Sequence, residues 1–230
     1  MDRDFEVARK CIDVNIQGTL NLLESAKDID LQKFIFFSTE EIYGKNEVPY
    51  KETQAPCPPS PYAISKVAGE NLGLLYHDLY DLPVVILRLA TIFGRYQPTS
   101  RFIPSAIIRA FKGENIPLNS GKNKRDYLFI GELLEAIERA IKTRQAVGEI
   151  FNIGHSNSIS GKILVEKIVR LTNSQSKIML NSFSDRAGEA EVWVMNNAKA
   201  RRILGWKPRK SIDKYLQETI NFYKNTKINL

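Results

Sequence analysis

The chain has 230 residues, a formal net charge of +7, and 43% hydrophobic and 26% charged residues, the proportions of an ordinary globular protein with a sizeable core. No apolar run reaches membrane-spanning length, Met1–Lys10 lacks the apolar core of a signal peptide, and Cys11 and Cys57 have neither metal nor redox spacing. A cytoplasmic protein with free thiols, no metal and no membrane partner is expected. Lys27, Lys33, Arg88, Lys112, Lys142 and Lys167 are scattered, and the densest run (Lys199–Arg202 with Lys207, Arg209 and Lys210) reads as a solvated face. No nucleic-acid partner is therefore expected.

In chain order, apolar spacing predicts a helix over Asp4–Ser25 and a buried strand over Lys33–Ser38. Residues 39–58 are turn-rich. Ser60 as N-cap and Pro61 at the first helical position open a second long helix, and Leu82–Ala90 is a second buried strand. Helices are predicted over Arg101–Lys112, Glu132–Lys142 and Lys162–Leu171, a strand over Glu149–Ile153, and terminal helices over Asn197–Leu204 and Ile212–Tyr223. Alternation of this kind implies right-handed crossovers and a parallel α/β sheet. His77 and His155 have no obvious chemical partner and read as structural; Trp193 and Trp206 read as packing residues.

The chemistry concentrates in Tyr62-Ala-Ile-Ser-Lys66, where a phenol and an ammonium four residues apart share a helix face. A phenol is a poor base near its usual pKa of about 10. A neighbouring ammonium, and a cationic ring bound nearby, would favour phenolate, which could then take a proton from a substrate hydroxyl. Thr39 sits at a strand C-terminus, where open α/β sheets bind ligands, and its hydroxyl is placed to bond the same substrate oxygen.

With these motifs the chain resembles the nucleotide-sugar epimerases and dehydratases of the extended short-chain dehydrogenase/reductase family. The matching stretches are Asn15–Glu24, Phe36–Gly44, Ser60–Lys66, Leu87-Arg88 with Ile92–Gly94, Arg125–Tyr127, Phe151–Gly154, Arg186–Glu189 and Leu204–Pro208, all in family order. The resemblance implies NAD as cofactor, a nucleotide-diphosphate sugar as substrate, and a homodimer built on helices 4–25 and 60–80. It implies an incomplete doubly wound parallel, Rossmann-like domain over residues 1–92, rejoined by the strand at 149–154. Residues 93–230 would form mainly a small α/β substrate lobe. Asn15, Ser38, Tyr62, Lys66 and Ala90 would face the cofactor, and Thr91, Arg101, Arg125 and Arg186 the substrate.

Ser38-Thr-Glu-Glu-Ile-Tyr-Gly44 is most similar to the 4,6-dehydratases. By that resemblance Glu41 is the base for the C5 proton and Glu40 the acid that helps the C6 hydroxyl leave, a division needing two carboxyls with separated pKa values. The alternative for both is a pair of solvated loop glutamates. Sugar 4-epimerases and UDP-glucuronate decarboxylases are alternative activities, and a non-catalytic sugar-nucleotide-binding or subunit-interaction protein is the alternative of another class.

The sequence departs from the family pattern in several places. Thr91 stands where asparagine is usual, Gly121–Arg125 is a shortened stretch, and Gly131-Glu132 replaces an acidic pair. No glycine-rich pyrophosphate turn accompanies Gly18, which leaves the strand at 33–38 without its usual neighbour. The expectation is about 70–80 further residues encoded upstream of Met1, including that turn, with a separate chain or a remnant as alternatives.

Overall fold

A computed structural model describes residues 5–185 and 190–226 of the chain. The first predicted helix forms as α1 (Phe5–Cys11), a π-helical segment (Ile12–Gln17) and α2 (Gly18–Ala26). The π segment carries Asn15 and swells the helix where it faces α3, a distortion frequent at functional positions.

Strands β1 (Phe34–Thr39), β2 (Val84–Leu89) and β6 (Glu149–Ile153) form a parallel sheet in the order β1-β2-β6. Ser38 pairs with Arg88, and Arg88 with Asn152. Every residue of β2 is buried, which accounts for its nearly continuous apolar sequence. β1 forms an edge, and its Phe37 is 43% exposed. Helix α3 (Pro61–Tyr80) lies against β1, so close that a Cβ on Gly69 would collide with the Phe36 ring.

Beyond β2 the chain builds structure that periodicity did not reveal. Strand β3 (Thr91–Phe93) pairs in parallel with β5 (Lys124–Phe129), which pairs antiparallel with β7 (Ser158–Ser160). A two-residue pairing joins β4 (Ile116–Pro117) to β8 (Ile178–Met179). These strands are short and partly polar, and they gain stability from their neighbours rather than from their own pattern. The remaining helices are α4 (Phe102–Lys112), α5 (Ile130–Lys142), α6 (Gly161–Leu171), α7 (Ala198–Ile203) and α8 (Ile212–Asn225), within a few residues of the predicted spans.

Three apolar clusters hold these layers together. Leu23, Phe36, Tyr76, Val84 and Ile86 pack beneath α2 and α3. Leu87, Phe151, Leu128, Trp193 and Trp206 join the parallel sheet to the later elements. Ile107, Leu164, Ile168, Leu216 and Ile220 close α4, α6 and α8 around β5. Both tryptophans are buried, with their indole N–H groups donating to Ala190 O (2.7 Å) and Glu132 O (3.0 Å), as their expected packing role requires. The histidines are structural too: His77 bonds Leu82 O through Nδ1 (2.9 Å), and His155 bonds Lys210 O through Nε2 (2.9 Å).

Candidate active site

The site forms at the C-terminal ends of β1 and β2. Thr39 is the last residue of β1 and caps the short 3₁₀ turn Glu40–Tyr43, its Oγ1 accepting from Glu41 N at 3.2 Å. The turn ends at Gly44, whose φ of +56° and contact with the Cys57 carbonyl exclude any side chain. The loop behind it is anchored from below. Tyr43 donates to Asn152 Oδ1 (2.7 Å) and accepts from Arg88 (2.8 Å), while Asn152 Nδ2 donates to Tyr50 O (2.9 Å). Tyr50 stacks on Tyr43 and donates to Gly44 O (2.8 Å). Tyr50 and Asn152 were not identified from the sequence, because each acts through partners that are distant along the chain.

Ser60 caps α3 by accepting from Ala63 N (3.2 Å), which fixes the first helical turn and with it Tyr62. The Thr39 side chain is close enough to the Tyr62 phenol to act on its acidity, lowering its pKa. Lys66 lies one turn further along, its Nζ 5.9 Å from the centre of the Tyr62 ring and donating to Phe37 O at 2.8 Å. Asn15 Nδ2 donates to Ser65 Oγ (3.0 Å), which in turn donates to Tyr62 O (2.7 Å). The fold thus gathers Asn15, Thr39, Tyr62 and Lys66 at one place. Ser38 lies beside Thr39; its Oγ is buried and has no partner among the described residues. Ala90 is buried at the end of β2, its N–H held by Ile153 O (3.0 Å).

The electrostatics correct one expectation. Burial and the nearby charge of Glu41 push the Tyr62 phenol above its ordinary range; Thr39 and Arg101 act the other way, and Lys66 is not among the causes that stand out. Burial lowers the Lys66 ammonium. In the protein alone, therefore, Lys66 neighbours Tyr62 without making it a strong base.

The two glutamates differ sharply. Glu41 is half-buried, whereas Glu40 is 3% exposed. Glu40 Oε1 accepts from Thr91 Oγ1 at 2.8 Å. Burial raises the Glu40 carboxyl well above the usual carboxylate range; the charge of Asp126 adds to this, while Thr91 and Arg125 oppose it. Glu40 is not a solvated loop residue. Asp126 is itself pushed up to about 6 by burial, although it accepts backbone bonds from His155 (2.7 Å), Ser156 (2.9 Å) and Met195 (3.2 Å).

The substrate-side candidates divide. Thr91 engages Glu40, so its hydroxyl is not turned outward as a simple ligand-binding group. Arg101 is exposed at the start of α4, and its charge is felt at Tyr62. Arg125 stacks 4.5 Å over Trp193, and its charge reaches Glu40 and Tyr50. Arg186 lies outside the described residues. A separate cavity of about 500 Å³, between Val48-Pro49 and α7, includes none of the expected site residues.

Known proteins resemble this chain over most of its length. The GDP-mannose 4,6 dehydratase family model matches residues 1–219. The low-salt glycan biosynthesis protein Agl12 of Haloferax volcanii is 30% identical over 225 residues, covering 97% of this chain and 72% of that protein. A dTDP-glucose 4,6-dehydratase of Streptomyces niveus is 30% identical over 229 residues, covering 99% of this chain and 68% of its own. The crystal structure of UDP-glucuronic acid 4-epimerase from Bacillus cereus, in complex with UDP-glucuronic acid and NAD, superimposes with a TM-score of 0.87 at 27% identity, covering 93% of this chain and 68% of the other. The shared fold, the ordered motifs and the extent of the match establish that the chain belongs to the GDP-mannose 4,6 dehydratase family, among the NAD-dependent nucleotide-sugar dehydratases and epimerases.

Proposed function

We propose that the chain is a nucleotide-sugar 4,6-dehydratase acting on an NDP-hexose through a C4 keto intermediate. The observation that carries this reading is the carboxyl pair in one turn: Glu40 buried and biased towards its neutral form, Glu41 half-buried beside it, both following Thr39. Elimination across C5 and C6 needs one carboxyl as acid and one as base, and burial separates such roles. A 4-epimerase has no use for a neutral acid at this place.

The residues fit the nicotinamide-ribose end of NAD. Asn15 ties the first helix to the turn carrying Tyr62, Lys66 offers a donor, Ser38 presents an unpartnered hydroxyl, and Ala90 lines the strand end. When bound, NAD would take up and return the hydride from sugar C4. Tyr62 takes the O4 proton, Thr39 orients O4, and Lys66 would hold the nicotinamide ribose. Glu41 takes the C5 proton and Glu40 protonates the departing C6 hydroxyl. Arg101, Arg125 and Arg186 provide planar donors for the diphosphate and its surroundings.

Two further parts of this reading concern organisation. The β1-β2-β6 sheet supports a partial cofactor lobe over 1–92 with 149–154, and the α4-α6-α8 cluster supports a substrate lobe within 93–230. Exposed Ile12, Val14 and Leu22 on the first helical run, with Ile64, Leu75 and Leu79 on α3, support a homodimer through these helices. A cytoplasmic location agrees with a sugar-nucleotide substrate, and no helix among the described residues is long and apolar enough to cross a membrane.

The test incubates the purified chain with NAD and dTDP-, GDP- or UDP-hexoses and identifies the product by NMR. A 4-keto-6-deoxy sugar supports the reading. Inversion at C4 with the C6 hydroxyl retained makes the protein an epimerase. Sugar-nucleotide binding by calorimetry with neither NAD binding nor turnover makes it a non-catalytic member.

A further inference from the structure

Thr91, the first residue of β3, sets its hydroxyl against the buried carboxyl of Glu40. Its Oγ1 donates to Glu40 Oε1 at 2.8 Å, while Glu40 Oε2 is buried and has no hydrogen-bond partner among the described residues. The two oxygens of one carboxyl thus occupy unlike environments. Thr91 is held in place by its strand, pairing with Tyr127 across β3 and β5. The charged and titratable groups around Glu40 are Asp126 and Arg125 on β5 and Glu41 in its own turn, with Tyr50 and Tyr127 also within electrostatic range.

A neutral carboxyl has a carbonyl oxygen, the better acceptor, and a hydroxyl oxygen that carries the proton. A hydroxyl donating to one oxygen therefore selects the other as the proton carrier. We infer that Thr91 is a positioning residue for Glu40, claiming Oε1 as acceptor and leaving the transferable proton on Oε2. This inference rests on the dehydratase reading above. In the elimination the base removes the C5 proton, and the C5–H electron pair becomes the C5–C6 double bond. The C6–O bond breaks with its pair going to oxygen. That oxygen takes the Oε2 proton and leaves as water, and Glu40 becomes a carboxylate. The Thr91 bond then falls on a charged acceptor, where it is stronger than on the neutral acid, so Thr91 favours the products of proton transfer.

Infrared difference spectroscopy of the whole chain, with Glu40→Gln as the spectral blank, tests the placement without cofactor. At neutral pH the wild type is expected to show a protonated-carboxyl C=O band that Glu40→Gln removes. Thr91→Val should move that band to higher frequency, because its carbonyl loses a donor, and Thr91→Ser should leave it in place. In turnover with NAD, Thr91→Val should lower kcat about tenfold with little change in KM, and Thr91→Ser should restore it. Absence of the band, or a band unmoved by Thr91→Val in a chain with wild-type circular dichroism, overturns the inference even if the wild type dehydrates sugars. A band that behaves as expected in a chain that only epimerises leaves Thr91 positioning the Glu40 proton and refutes the dehydratase reading instead.

Discussion

Arg88 on β2 and Glu70 on α3 form a paired ion bridge in the interior, with two hydrogen bonds of 2.9 and 2.7 Å between side chains that are almost wholly buried. The same guanidinium donates to Tyr43 OH (2.8 Å) and to Glu52 O (3.3 Å). One cation thus ties the helix carrying Tyr62 to the loop carrying Glu40 and Glu41.

Removing one partner strands the other charge in the core. Glu70→Gln or Arg88→Met should destabilise the fold by roughly 3–5 kcal/mol in urea unfolding. A change under about 1 kcal/mol would show that the pair is solvated or replaceable.

Tyr62→Phe keeps the ring and deletes the hydroxyl whose acidity Thr39 influences. Turnover should fall by about 10²–10⁴-fold while the urea midpoint stays close to wild type. Unchanged turnover would remove Tyr62 from the chemistry.

Gly44→Ala introduces a Cβ at φ +56° against the Cys57 carbonyl. A loss of roughly 1–3 kcal/mol is expected, together with reduced activity, because the turn holding both glutamates ends there. A neutral effect on stability would mean that the 44–57 loop moves aside freely.

Stability should also depend on pH with a definite sign. Asp126 has its ordinary value of 3.8 raised to about 6, so the folded chain holds a proton that the unfolded chain releases. That contribution is fully present below about 3.8 and is lost as the pH rises through about 6, amounting to roughly 2–3 kcal/mol. Glu40, raised by the same cause, extends the loss in the same direction. Urea midpoints measured across this range should fall as pH rises, and Asp126→Asn should flatten the decline. A rising profile would show that Asp126 is ionised more easily in the fold than in the unfolded chain.

By itself the sequence determined the elements whose signals are local. The Ser60–Pro61 start of α3 needs only a cap and a fixed φ. The buried strands β1, β2 and β6 show themselves as apolar runs, and the Tyr62–Lys66 spacing places both on one helix face before any contact is known. Tertiary structure decided the rest, because those features belong to pairs of residues distant in the chain. Strands β3, β5 and β7 exist through one another, and Asn152 reaches the site loop across 102 positions to Tyr50. The resemblance assigned Glu40 and Glu41 different roles, but what makes two identical letters differ physically is the fold, which removes the Glu40 side chain from water and sets one hydroxyl, that of Thr91, against it.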